Sequence, residues 1–255
     1  MMYIHNMSPV AIQLGSLPIH WYGVMHLVAF LIAMKIISYR VNEQKINVND
    51  LFFYALIGII LGGKIGYLIF YDGFNIFNMS IYEILDVRMG RSFHGGLFGA
   101  ILGILVYCRK HNLSFLYCSD LIVPTVPIGL GLGRIGNFIN GELWGLPTLS
   151  NYGVIFPRVD LQLRHPVQLY EALLEGFILF IALEFFRRKN FATGKLSGIF
   201  LIGYAFCRIT VEFWRVPDQA IGYIAFNWLT MGQLLSIPMM IFGVYLFTLR
   251  RCSNT

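Results

Sequence analysis

Residues able to handle an anion recur in this 255-residue chain at the ends of its apolar runs. In GLGRIGNFINGELWG (131–145), Arg134 is followed by Asn137, Asn140 and Glu142. Arginine presents a planar fork of five donors suited to a phosphate, and two asparagines with a carboxylate can orient that fork and a bound headgroup. In GYAFCRITVEFWRVPD (203–218), Tyr204, Arg208 and Glu212 recur every four residues and Arg215 lies seven beyond Arg208, so all four share one helical face. An Arg208–Glu212 ion pair that lets the helix insert is one reading; the tyrosine and second arginine on the same stripe support the other, a polar cavity. RHPVQLYEALLEG (164–176) sets Gln168, Glu171 and Glu175 on one face behind His165 and Pro166, and two carboxylates in an apolar run need cationic or hydrogen-bonding partners, for which arginines of other segments serve. RSFHGGLFGA (91–100) puts His94 beside Gly95 and Gly96 at the start of a predicted helix, where exposed amides favour an anion and the imidazole can accept a proton; an interfacial aromatic belt is the alternative.

The elements that must carry these groups are membrane spans. Hydrophobic residues make up 57% of the chain and charged residues 13%, a balance a soluble domain with a charged surface hardly reaches. Seven runs approach the roughly 20 apolar residues that cross a bilayer as a helix: 20–39, 51–70, 93–108, 115–135, 167–186, 196–213 and 229–249. The reading is an all-α polytopic membrane protein of seven transmembrane helices with small outer loops, forming one integral membrane domain over 1–255. The net charge of +6 follows alternate loops rather than a nucleic-acid face. Arg40, Lys45, Arg109, Lys110, Arg187, Arg188, Lys189, Lys195, Arg250 and Arg251 fall on one side, and Arg88, Arg91, Arg158, Arg164 and Arg215 on the other. Ten against five places the N-terminus outside and the C-terminus in the cytoplasm. The first residues lack a basic n-region and an A-x-A-like cleavage site, so they read as a short outer segment.

The fourth run holds Asp120, Pro124 and Pro127 before its glycines, which predicts a broken or kinked helix; Gly129, Gly131 and Gly133 suit that role or close helix packing. His20, Trp21 and Tyr22 open the first run as belt residues do, and Lys64 in GGKIGY (62–67) either snorkels or charges a cavity. Cys108, Cys118, Cys207 and Cys252 form no CxxC pair and read as small apolar fillers. No metal-ligand spacing appears, so neither metal nor cofactor is expected. An intramembrane protease lacks support, since Asp120 has no aspartate partner within a span and no G-x-S-x-G turn occurs. A transporter or flippase for an anionic substrate also uses broken helices and buried arginines, but seven spans do not divide into paired half-repeats.

Six blocks in order, HWYG (20–23), SFHGG (92–96), GLGRIGNFINGELWG, RHPVQLYEALLEG, GYAFCRITVEFWRVPD and MGQLLSIPM (231–239), resemble the bacterial prolipoprotein diacylglyceryl transferase family over almost the whole chain. The resemblance implies an inner-membrane enzyme, active toward the periplasmic side, that moves the diacylglyceryl group of phosphatidylglycerol to the lipobox cysteine thiol of a prolipoprotein signal peptide and releases glycerol phosphate. It implies that Arg134 engages the headgroup with Arg208, Asn137, Asn140 and Gly145. It further implies that Glu142, Glu212, Tyr204, Tyr22 and His94 stand at positions the family needs or favours. On this reading His94 takes the thiol proton, and Arg134 and Arg208 hold the departing phosphate more tightly in the transition state than in the ground state. The chain departs from the family in three places. Lys64 stands where arginine is common, LDVRMGR (85–91) is less glycine-rich than usual, and the outer loop between Gly145 and His165 is short.

Overall fold

The computed structural model describes residues 3–41, 46–70, 90, 92–189, 191–217 and 222–249, and of Phe70 the backbone alone. Lys45, Arg88, Arg91, Asp218, Arg250, Arg251 and Cys252, and the stretch 71–89, lie outside them. The chain divides into two compact units, Met1–Ala33 with Ser119–Thr255, and Met34–Cys118. The helices are α1 (Trp21–Arg40), α2 (Val48–Phe70), α3 (Phe93–Lys110), α4 (Phe115–Ile122), α5 (Val126–Asn140), α6 (Val167–Glu171), a π-helical segment (Ala172–Ile178), α7 (Leu179–Arg187), α8 (Lys195–Glu212) and α9 (Met231–Thr248). Among the described residues, three helices are long and apolar enough to cross a membrane: α1, α2 and α9. The α4–α5 pair, bent by 49° at its break, makes a fourth if counted as one span. Helices suit a bilayer because each satisfies its own backbone donors and acceptors where no water can.

In the unit Met34–Cys118, α2 and α3 meet through glycines repeated every four residues: Gly58, Gly62 and Gly66 on one, Gly95, Gly99 and Gly103 on the other. A Cβ on Gly99 would run into the Gly58 carbonyl, one on Gly62 into the Gly95 carbonyl, and one on Gly103 into the Tyr54 carbonyl. Lipid leaves no hydrophobic drive between helices, so close backbone contact and dispersion must hold the pair. Gly99→Leu is therefore expected to cost about 1–3 kcal/mol or more, read as a lower melting temperature in detergent, whereas Gly96→Ala, whose Cβ meets Ile59 at an ordinary 3.7 Å, should melt like the parent. Equal melting of the two variants would remove glycine contact as the clamp. Ser92 caps α3, its Oγ accepting from the Gly95 N–H at 3.2 Å.

In the other unit, the predicted break of the fourth run falls between Ile122 and Val126, at Pro124. Asp120 of α4 caps α8 from across the fold: Oδ2 accepts the Gly194 N–H at 2.6 Å, and Oδ1 accepts the Ser197 N–H at 2.8 Å and its hydroxyl at 2.6 Å. These are amides that a helix start leaves without an internal partner. The α8 and α9 backbones close on each other at Gly198 and Gly243, where an added Cβ would lie 2.7–2.8 Å from the opposing carbonyl oxygen.

The expectation of helices alone needs correction, because short strands also form. β1 (Tyr3–Ile4) runs parallel to β4 (Val154–Ile155), which pairs antiparallel with β5 (Leu163–Arg164). β2 (Val10–Leu14) and β3 (Leu17–His20) make a hairpin whose turn holds Gly15 at φ 58°. These runs are too short to register beside 20-residue apolar windows, although their β-branched residues and the Gly-Ser turn are hairpin signals. Phe138 near the end of α5 packs with Val154 and Phe156 of this layer, and the His5 ring stands edge-on to Phe138 at 5.4 Å. The layer thus fixes the C-terminal end of α5.

Candidate functional site: an arginine cluster on a buried carboxylate

Glu171, the last residue of α6, is wholly buried and gathers three arginines from two other elements and the turn after α8. Arg134 of α5 brings Nε to 3.1 Å of Oε2; Arg208 of α8 and Arg215 beyond it bring Nη1 to 2.6 and 3.0 Å of Oε1. Glu175, also wholly buried, lies 3.7 Å from Arg134 Nη2 and 3.9 Å from Arg208 Nη1. Arg208 Nη2 pairs with Glu212 Oε2 at 2.8 Å. The expected partnership of Glu171 and Glu175 with arginines of other segments, and the Arg208–Glu212 pair, are thus both present. The three arginine side chains keep 13–18% of their surface exposed while the carboxylates behind them keep 0–5%. The carboxylates thus lie deeper than the arginines that pair with them.

Two local features make this convergence possible. The helix from Val167 to Arg187 widens over Ala172–Ile178 into a π-helical segment, a distortion common at functional sites, and Glu175 lies within it. Gly176 in the same segment meets Gly131 of α5 backbone to backbone: a Cβ on Gly176 would stand 2.7 Å from the Gly131 Cα. Without side chains at both positions the two helices come close enough for Arg134, one turn below Gly131, to reach Glu171. Gly131 is thus a packing glycine in the second helix of the bent α4–α5 pair, which joins the two roles left open by its sequence context.

The remainder of the signature is held by its own hydrogen bonds. Asn137 and Asn140 each donate Nδ2 to Glu142 Oε1, at 2.8 and 3.1 Å, and Gln168 Nε2 donates to the Glu142 carbonyl at 2.6 Å. Gly145 is enclosed: its N–H donates to the His165 carbonyl at 3.0 Å, and an added Cβ would strike the Val167 side chain. Arg164 secures that turn. Its Nη1 donates to the Gly145 carbonyl at 3.1 Å, its Nε and Nη2 to Asp160 at 3.1 and 2.5 Å, and its guanidinium lies 4.8 Å from the Trp144 ring centre. Tyr22 and His26 of α1 sit against Gly136 and Gly133 on either side of Arg134 in α5; their rings are 4.3 Å apart, and His26 Nδ1 lies 2.8 Å from the Tyr22 carbonyl. Tyr204 stacks on Phe200 one turn before Arg208. Thr230 donates its hydroxyl to Glu212 Oε1 at 3.0 Å.

His94 belongs to the other unit, where it is the second residue of α3 and exposed; Lys64 lies there too, half-buried in α2. Among the described residues no group of His, Cys, Asp and Glu has the arrangement of a metal site.

Two titratable groups close to the signature turn are displaced. Burial holds the His165 imidazole below its ordinary pKa, with Nδ1 3.2 Å from the Tyr170 hydroxyl. Hydrogen bonds from Arg164 hold the Asp160 carboxyl below the usual carboxylate range. A lowered acid pKa contributes stability that is complete above its unfolded value of about 4 and fades as pH falls through the folded one. Asp160→Asn should therefore melt below the parent at neutral pH, with the gap closing toward about pH 3. A gap of constant size across that range would show that the charge of Asp160 contributes nothing.

Sequence reasoning did not single out Thr230, the Arg164–Asp160 clasp, Gly176 or the Gln168 bond to the Glu142 carbonyl. Thr230 carries a legible signal: with Gln233 it forms a reciprocal cap at the start of α9, the Thr-x-x-Gln pattern. The clasp and the Gly131–Gly176 contact join residues with no local pattern between them.

The profile of the family described as "Prolipoprotein diacylglyceryl transferase" matches residues 9–249. A phosphatidylglycerol–prolipoprotein diacylglyceryl transferase of Legionella pneumophila (strain Lens) is 46% identical over 252 residues, which cover 96% of this chain and 98% of the relative. One of Coxiella burnetii (strain RSA 331 / Henzerling II) is 45% identical over 248 residues, 95% of each chain.

Proposed function

We propose that this chain, which belongs to the prolipoprotein diacylglyceryl transferase family, transfers the diacylglyceryl group of phosphatidylglycerol to the lipobox cysteine of a prolipoprotein. The observation that carries the site assignment is the convergence of Arg134 and Arg208, from two helices, on Glu171. Sulfur attacks the glycerol carbon, a C–S bond forms, the C–O bond to phosphate breaks, and glycerol phosphate departs with the electron pair. Negative charge grows on the departing phosphate, so guanidinium groups already fixed by buried carboxylates stabilise it with little reorganisation. Arg134 commits Nε to Glu171 and points Nη2 toward Glu175. Its Nη1 has no partner among the described residues and is available to a phosphate oxygen.

The thiol, with an ordinary pKa of about 8.5, must lose its proton, and His94 is the acceptor in this scheme. Asn137, Asn140 and Gly145 shape the headgroup pocket with the two arginines, Glu142 holds the asparagines, and Tyr22, Tyr204 and Glu212 complete the site. The chain is a membrane protein with several apolar helices. Its seven-span topology in the bacterial inner membrane, with the N-terminus and site on the periplasmic side, the C-terminus in the cytoplasm and one domain throughout, belongs to the same proposal. Loop charge supports that orientation.

The deciding experiment incubates purified protein with phosphatidylglycerol and a lipobox peptide and weighs the peptide by mass spectrometry. A gain of one diacylglyceryl group, absent when the cysteine is replaced by serine, is expected. An unchanged peptide mass with active lipid and folded protein refutes the proposal.

A further inference from the structure

Between α8 and α9, residues 222–229 form an aromatic knuckle with no charged side chain. Ala225 and Leu229 bridge across its turn, and the Ile224 N–H donates to the Leu229 carbonyl at 2.8 Å. The tip residues Phe226 and Asn227 both have positive φ, 56° and 57°. Asparagine tolerates that left-handed region, but a phenylalanine there is strained. The strain does not hide the ring: Phe226 is 79% exposed, and Phe213 and Trp228 are more than half exposed. Phe213 and Phe226 each stack on Trp228, with ring centres 6.3 Å apart and interplanar angles of 23° and 24°. Water opposes such a display, whereas the headgroup–acyl boundary of a bilayer favours the amphipathic rings of Trp228 and the exposed Tyr223 and takes up the apolar rings of Phe213 and Phe226 beside them.

We propose that this knuckle is an interfacial anchor. Phe213, Phe226 and Trp228 rest in the headgroup–acyl boundary of a phospholipid leaflet and set the depth at which the arginine cluster meets a phosphate. The apolar surface is continuous with a candidate span: α9 starts two residues beyond Leu229 and exposes Leu234, Leu235, Ile237 and Ile241, while the intervening Thr230 and Gln233 are buried. The connection to the site is short. Thr230 Oγ1 donates to Glu212 at 3.0 Å, and Glu212 pairs with Arg208 at 2.8 Å, so one hydroxyl and one carboxylate separate the anchor from the guanidinium. The turn is held by Thr230 and Gln233, whose backbone N–H groups each donate to the other's side chain, at 3.1 and 3.4 Å. The depth-setting role rests on the reading of Arg208 as a phosphate ligand; the anchoring does not.

The test places Phe226→p-benzoylphenylalanine in the otherwise unaltered chain. The protein is reconstituted in vesicles of phosphatidylglycerol and phosphatidylcholine, irradiated with and without a lipobox peptide, and weighed intact. The expected product is heavier by one phospholipid, with the two lipids captured in proportion to their abundance. Absence of a lipid adduct, or a peptide adduct in its place, overturns the anchor. A second measurement keeps Trp228 as the sole tryptophan: lipids brominated near the headgroup should quench it more than lipids brominated near the bilayer centre. Quenching by aqueous iodide without quenching by the bromolipids counts against the proposal. For depth setting, Phe226→Ser with Trp228→Ser should raise the KM for phosphatidylglycerol severalfold and leave the KM for peptide unchanged; the reverse split overturns it. Transfer measured on the unaltered chain in the same vesicles separates the two readings. A lipid adduct without transfer defeats the enzymatic proposal alone, and transfer without a lipid adduct defeats the anchor alone.

Discussion

Arg134→Ala is expected to slow diacylglyceryl transfer by about 10²–10³-fold, the size of effect seen when one transition-state donor is removed, and Arg134→Lys to recover little of it. Arg134 places Nε against Glu171 and Nη2 toward Glu175, so on the proposed reading its remaining donors meet the phosphate from a fixed plane. A lysine ammonium is a single point charge on a flexible stem. Drawn to Glu171 it leaves the phosphate, and drawn to the phosphate it leaves Glu171 without that partner. The measurement is turnover of a lipobox peptide, read beside a melting curve that establishes folding. Near-parental turnover in Arg134→Lys refutes the planar-fork assignment. Arg208→Ala is expected to be as slow and less stable, because it also releases Glu212.

The largest effect on stability is expected at Glu171. Three arginines share its two oxygens, and its side chain is wholly buried. Removing one partner of a buried ion pair leaves uncompensated charge and costs about 3–5 kcal/mol. That is a large share of the 5–15 kcal/mol that holds a typical domain together. Glu171→Ala should therefore yield little folded protein, and what survives should melt far below the parent in detergent. A melting temperature equal to the parent's would mean that the arginines are held by something other than this carboxylate.

The spacing of chemistry-bearing residues along single helices was legible in sequence, because a helix converts four-residue spacing into a shared face. That is why Tyr204, Arg208, Glu212 and the Glu171–Glu175 pair were recognisable as stripes, and why Pro124 marked the break between α4 and α5. Long-range partnerships were less accessible. Both glutamates needed cations, but nothing in the spacing said that Arg134, Arg208 and Arg215 would share Glu171. The widened turn over Ala172–Ile178 has no periodic signature, and the small β-layer that holds the end of α5 is built from two-residue strands. The glycine repeats of α2 and α3 were present in the sequence as four-residue spacings, yet only their apposition distinguishes a clamp from flexible spacing.

By itself, the sequence determined that this is a membrane protein with apolar helices, an arginine-bearing signature and the family that signature belongs to, because composition, periodicity and ordered motifs are properties of the chain read in one dimension. The tertiary structure alone decided which charges meet. Arg134 and Glu171, far apart in sequence, come within ion-pairing distance where Gly131 and Gly176 let their two helices touch, and Arg208 reaches the same carboxylate from α8. Electrostatic pairing depends on distance in space, which the packing of the helices sets and spacing along the chain does not.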